Sequence, residues 1–293
     1  MGKSAISRVT GFLDALGSTA KSCLRLLPGM FAPGPAASVP AGDTRPLVIL
    51  GNGPSLRRNL EEDIELLRRA DTLAVNFFAN SPEFGIVRPA YYVLADPHFF
   101  DKAETDPNVA RLISSINAID FPMTLLIPVK AKGKAALFTN PKLRVETFNF
   151  VAVEGFRWFE NLMFSIKKGM PRPRNVLIPS IMAGIWLGYS RIYILGADHS
   201  WLSTLSVNDR NEVVSIQPHF YKEDEKEQTR IRQEYVRHPL HEVLESMMIA
   251  FRSYHRVGSY AASRGVAVFN ATPGSMIDAF PRATLPIDVP LNN

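Results

Sequence analysis

Residues 46–56 read PLVILGNGPSL, and this stretch decides the fold. Four consecutive apolar residues after Pro46, closed by Gly51, form the pattern of a strand buried on both faces, as in a parallel sheet. Gly51, Asn52, Gly53, Pro54 and Ser55 then turn the chain, and Ser55 or Asn52 can cap the helix expected over RRNLEEDIELLRRA. Further strands are expected over 71–80 (DTLAVNFFAN), 90–100 (AYYVLADPHFF), 123–129 (MTLLIPV), 191–198 (RIYILGAD) and 265–272 (GVAVFNAT). Helices are expected over 148–166, 175–189 and from about Pro239 to Arg264. Strands alternating with helices predict an α/β protein with a doubly wound, mostly parallel sheet. Ligands of such sheets bind beyond the carboxyl ends of the strands, at a switch point in strand order. The polar stretch 199–237, before the last helix and strand, reads as an inserted lid.

Upstream, residues 1–31 read as a basic amphipathic helix, with Lys3, Arg8, Lys21 and Arg25 against one acid, Asp14. Such a helix lies in a lipid headgroup layer or packs on the body or a second subunit. Residues 32–45 read as a Pro/Ala linker, and the catalytic domain is expected over 46–293. The 293 residues are 46% hydrophobic and 21% charged, with a net charge of +5. That surplus is dispersed, so an anionic small molecule or membrane face suits it and a nucleic acid does not. A single cysteine, Cys23, rules out an intrachain disulfide or a thiolate cluster and fits a reducing, cytoplasmic compartment. The sequence has no apolar run long enough to span a bilayer and no secretory signal. It leaves homo-oligomerisation open.

The chemistry is expected at the strand ends. In the first turn, Gly51 and Gly53 let the backbone approach a phosphate, with the next helix aiming its amides at the same place. The pattern is neither a Walker A loop nor GxGxxG, and a plain strand–helix turn also uses glycine. Asn76, Asp96, Asp198 and Asn270 each end a strand on the presumed ligand side. Any one of them is equally a turn-former; together they point to a crevice. Asp96 and His98 read either as cleft residues or as an Asx turn with an exposed histidine. Phe156 and Trp158 read as core aromatics or as the border of an acceptor site. No His, Cys or carboxylate spacing fits a metal site.

With LVILGNGPSL, AVNFF, VLADPHFF and LGYSRIYILGAD in this order, residues 46–282 resemble the single-domain, Rossmann-like bacterial sialyltransferases of lipooligosaccharide synthesis. They are also similar to a broader family that includes flagellin-modifying motility accessory factors and 6-hydroxymethylpterin diphosphokinase-like proteins. The resemblance implies a glycosyltransferase, independent of metal, using a CMP-sugar donor and a glycan or glycolipid acceptor at the inner face of the cytoplasmic membrane. Asn52 and Asn76 would contact the donor, and Asp198 would hold its pocket. Asn175 and Val176 stand where the family has a Thr-Ser pair, and only Asn175 is polar. Where the family places two tyrosines on the leaving phosphate, this chain has His199, Ser200 and Trp201, with Tyr221 far downstream. Phosphate stabilisation then falls to His199, Ser200 or Arg174, unless the donor differs. The family's base is a histidine at the end of the lid. Here His241, at a helix start, is the first candidate, His219 the second and His238 the third.

Two other readings stay open. The diphosphokinase branch implies an ATP- and Mg²⁺-dependent enzyme, with Asp96 and Asp198 as the strand-end carboxylates. The third is a non-catalytic nucleotide-binding scaffold.

Overall fold

The computed structural model describes residues 5–40, 44–215 and 236–285, with side chains from residue 9 onward. The chain runs from α1 (Ala5–Leu26) to β1 (Leu47–Leu50), α2 (Leu56–Glu62), α3 (Ile64–Arg69) and β2 (Asp71–Val75). Then come α4 (Phe84–Val87), β3 (Tyr91–Val93), α5 (His98–Asp101), α6 (Pro107–Asn117), β4 (Met123–Pro128) and β5 (Leu143–Phe148). After α7 (Arg157–Ser165), α8 (Leu177–Leu187) and β6 (Arg191–Leu195) lies a small antiparallel pair, β7 (Ser206–Val207) and β8 (Val213–Val214). The last described elements are α9 (Leu240–Ser263) and β9 (Ala267–Asn270).

Seven strands form one parallel sheet in the order β5-β4-β3-β2-β1-β6-β9. From β1 the chain builds outward to β5, then returns to place β6 on the other side of β1. The switch in direction therefore falls between β1 and β6, whose carboxyl ends carry Gly51 and Gly196. This is the doubly wound α/β arrangement that the sequence predicts.

Both faces of the sheet are covered, which is why its central strands are mostly apolar and β1 wholly so. Side chains alternate across a strand. Leu47 and Ile49 accordingly join the core under α7, α8 and α9, while Val48 and Leu50 join the core under α2, α3 and α6. Every residue of α8 is buried. It is the central helix, wedged between the sheet and α9, and each of its large apolar side chains contributes about 1.5–3 kcal/mol of burial.

Several expected elements end early. The 71–80 strand stops at Val75, because Asn76 takes a left-handed backbone (φ 49°) and opens a 3₁₀ turn. The 90–100 strand stops at Val93; the Asp96 carboxylate accepts from the His98 amide at 2.9 Å and starts α5. The 148–166 helix is only α7, and the edge strand β5 before it was not expected. One edge partner and half-exposed residues leave β5 without the apolar run that marks its neighbours.

Helix α1 is docked. Ser22 Oγ donates to the Glu154 carbonyl at 2.8 Å and accepts from its amide at 2.9 Å, Thr19 Oγ1 accepts from the Phe156 amide, and Leu26 is buried. The stretch expected as a free linker is tied down too. The amides of Ala36 and Ala37 both donate to Glu146 Oε2 at 2.9 Å, and Lys167 and Lys168 donate to the Pro35 and Ala32 carbonyls. Composition signalled flexibility; the carboxylate and lysines that hold this stretch lie more than 100 residues away. Among the described residues, no helix is long and apolar enough to cross a membrane.

Candidate functional site

Two loops meet at the switch point. After β1 ends, the Gly51 amide donates to the Leu195 carbonyl at 2.8 Å, and the Gly53 amide to the Gly196 carbonyl at 2.8 Å. The backbones run so close that a Cβ on Gly51 would stand 2.5 Å from the Gly196 oxygen, and one on Gly53 would land in the Asp198 carboxylate. The glycines are thus required for contact between the two loops, and their amides are taken. Neither glycine amide is therefore left to donate to a phosphate.

The start of α2 is occupied as well. Asp198 Oδ1 accepts from the Ser55 amide at 3.2 Å, and Oδ2 from the Ser55 hydroxyl at 2.8 Å. A carboxylate of the protein therefore sits where an anionic ligand was expected to meet the helix. Burial raises the pKa of Asp198 above the ordinary carboxylate value, and the Ser55 bonds offset part of that. The backbone behind it is braced from β9. The Ala197 amide donates to Thr272 Oγ1, Ser275 Oγ donates to the Ala197 carbonyl, and the Met276 amide donates to the Asp198 carbonyl.

Between the loops lies a cavity of about 120 Å³, lined by Gly51, Asn52, Gly53, Asn175, Asp198, His199 and Ser200, with Trp201 and the start of α8 completing the wall. Asn52 is 8% exposed, and neither polar atom of its carboxamide has a partner among the described residues. Opposite, Asn175 Oδ1 accepts from the Leu177 amide and from the Tyr254 hydroxyl. The His199 ring is buried among Trp201, Phe251 and Tyr254, with Nε2 2.8 Å from the Tyr254 hydroxyl. Burial pushes its imidazole pKa down to about 4, so the ring is neutral.

Of the residues singled out in the sequence as donor-binding candidates, Gly51, Asn52, Gly53, Asn175, Asp198, His199 and Ser200 line this cavity, and Ser55 is bonded to Asp198. Others stand elsewhere. Asn76 is half-buried at the end of β2, its carbonyl accepting from the Tyr92 hydroxyl at 2.6 Å, and is not part of the wall. Asp96 is exposed and closes the turn before α5, its structural alternative, while His98 is half-buried rather than exposed and bonds Asp106, which caps α6. The side chain of Asn270 is committed to Thr272, Ser275 and Ile277. Arg174 is exposed beside Asn175. His241 is exposed on the first turn of α9, away from the cavity wall, and His238 pairs with Glu242. Phe156 packs on Phe12 of α1 and Trp158 is exposed, so neither lines the cavity. His219 and Tyr221, like most of the expected lid, lie outside the described residues.

Tyr254 escapes sequence reasoning. It sits in the apolar stripe of α9 with Val243, Met247, Ala250, Val257 and Ala261, all buried, and reads there as core. Among the described residues, no three His, Cys, Asp or Glu side chains come together as a metal site.

No protein-family model matches the chain, and no curated protein matches it. Among solved structures, the chain is similar to the MAf glycosyltransferase from Magnetospirillum magneticum AMB-1, at 15% identity with a TM-score of 0.48. The alignment covers 86% of this chain but 34% of the other, so this chain spans about a third of that protein's length. A likeness at this level leaves function to be read from the chain's own residues.

Proposed function

We propose that this chain is a glycosyltransferase that takes a nucleotide-activated sugar into the cavity between β1 and β6. The donor is a CMP-linked nonulosonic acid such as sialic acid, the acceptor is a surface glycan or glycolipid, and transfer inverts the anomeric centre without a divalent ion. The observation that carries the reading is the Asn52 carboxamide, buried at the switch point with both polar atoms unpartnered among the described residues. An unpaired buried amide costs about 1–3 kcal/mol, a cost offset where a ligand supplies the missing bonds. The choice of CMP rests on the resemblance of GNGPSL, AVNFF and LGYSRIYILGAD to the sialyltransferases. The cavity is smaller than the roughly 300–1,000 Å³ of a complete small-molecule site. It admits one end of the donor; Ser200 of its wall and the exposed Arg174, next to Asn175 in the chain, are the residues proposed to meet the phosphate.

In the reaction, a base removes the acceptor hydroxyl proton and the oxygen attacks the anomeric carbon. The bond to the phosphate oxygen breaks with its electron pair, on the face opposite the attack. The carboxylates that the ATP- and Mg²⁺-dependent alternative requires are apart, since Asp198 lines the cavity and Asp96 does not.

Thermal-shift titration with CMP, CDP, UDP and ATP, with and without Mg²⁺, tests the reading. CMP is expected to stabilise the protein without metal, and Asn52→Ala to weaken CMP about ten- to a hundredfold. Stabilisation by ATP only with Mg²⁺ would replace this reading with the diphosphokinase. No response to any nucleotide would overturn nucleotide binding altogether.

Peripheral attachment to a membrane is part of the same proposal. Val9, Leu13 and Leu16 lie together on α1 and are each at least half exposed, while Thr19, Ser22 and Leu26 hold the helix to the body. Residues 1–31 carry four basic groups and one acid, and each cation near an anionic leaflet contributes about 1 kcal/mol. The full chain is expected to sediment with vesicles containing phosphatidylglycerol at low salt, and Leu13→Glu to reduce that. A full chain that ignores such vesicles refutes the attachment.

A further inference from the structure

The hydrogen bonds around His199 determine where its proton is. Asn175 Oδ1 accepts from the backbone amide of Leu177 at 3.1 Å. A backbone N–H only donates, so the atom facing it is the carboxamide oxygen. The Tyr254 hydroxyl lies 3.0 Å from that oxygen and gives it its single proton. His199 Nε2 is 2.8 Å from the same hydroxyl, whose proton is already committed, so Nε2 must carry hydrogen and donate. The 3.5 Å approach of Asn175 Nδ2 to Nε2 is then donor facing donor, and contributes nothing. Burial raises the pKa of the Tyr254 phenol, which stays protonated, and keeps the imidazole neutral. A neutral imidazole holds one hydrogen, so Nδ1 carries a lone pair, and no described residue bonds it.

We propose that His199 is the proton-accepting catalytic residue of this cavity, with Tyr254 and Asn175 as positioning residues that hold it as the Nε2–H tautomer and leave Nδ1 to take the proton of a hydroxyl. The inference rests on the proposed glycosyl transfer and names its base. The acceptor O–H bond breaks and its proton goes to Nδ1. The oxygen forms the new bond to the anomeric carbon, and the bond to the leaving phosphate breaks with its electron pair. The resulting imidazolium keeps its Nε2–H bond to Tyr254 and gives up its extra proton to water after product leaves. The donor phosphate brings negative charge that raises the ring's affinity for a proton. His241, exposed and off the cavity wall, has no such arrangement.

The test begins with the wild-type chain. Nitrogen-15 NMR of the histidine rings at neutral pH should give His199 as the Nε2–H tautomer, and Tyr254→Phe should convert it to a mixture. His199→Gln should slow CMP release from CMP-sialic acid by about a hundred- to ten-thousandfold, with CMP affinity changed less than about threefold. Tyr254→Phe should lower kcat with little change in KM. An Nδ1–H tautomer in the wild type overturns the proposal without any variant. So does His199→Gln turning over at the wild-type rate. If instead no CMP compound binds, the glycosyltransferase reading has failed, and the tautomer measurement still decides whether the three residues are arranged as argued.

Discussion

The environment of His199 predicts a measurable acid sensitivity. A free imidazole titrates near 6.5, whereas burial holds this one at about 4. Between those values the unfolded chain binds a proton at this histidine and the native chain does not. Stability therefore falls as pH drops through that window. The full contribution is present above about pH 6.5 and is lost progressively down to about pH 4, below which both states are protonated. A gap of about 2.5 pH units, at about 1.4 kcal/mol each, amounts to roughly 3 kcal/mol. Asp198 acts in the opposite sense. Its raised pKa makes the native state take a proton more readily than the unfolded chain, so acid favours folding at that group. The comparison must therefore be with His199→Gln, which keeps Asp198 and Ser55. Urea unfolding of both proteins, from about pH 7 down to about pH 4, should show the wild type losing roughly 3 kcal/mol relative to the variant. Parallel pH dependence would mean that His199 takes up a proton as easily in the native protein as in water. That would refute the reasoning from burial.

Gly53→Ala should lose about 2–4 kcal/mol of stability in urea unfolding and abolish CMP binding, because its Cβ would displace the Asp198 carboxylate from Ser55. Unchanged stability would show that the two loops have room to part. Asn270→Ala should cost about 2–4 kcal/mol and also weaken CMP, although Asn270 lies off the cavity wall. Its side chain orders the 271–277 turn that braces Ala197 and Asp198, and a variant with normal stability and affinity would contradict that.

The sequence by itself determined the layered α/β architecture and the strands that carry the site. Runs such as LVIL and IYIL are apolar at every position, a pattern that burial on both sheet faces explains, and Gly51 and Gly196 mark their ends. Asp198 was likewise readable as a strand-end polar residue on the ligand side and Asn52 as a residue of the first turn, whereas His199 was singled out only through the family resemblance. Only the tertiary structure decided what each does. Asp198 faces Ser55 because β6 returns beside β1, so the start of α2 holds a carboxylate of the protein where a phosphate was expected. Asp96 and Asn270 look like Asp198 in sequence, yet their side chains close turns. Tyr254 reads as core until the packing of α9 on α8 brings its hydroxyl to Asn175 and His199. Burial follows from the local pattern of apolar residues, whereas a long-range hydrogen-bond partner depends on which loop or helix the fold brings opposite: Ser55 lies 143 residues from Asp198, and His199 and Asn175 lie 55 and 79 residues from Tyr254.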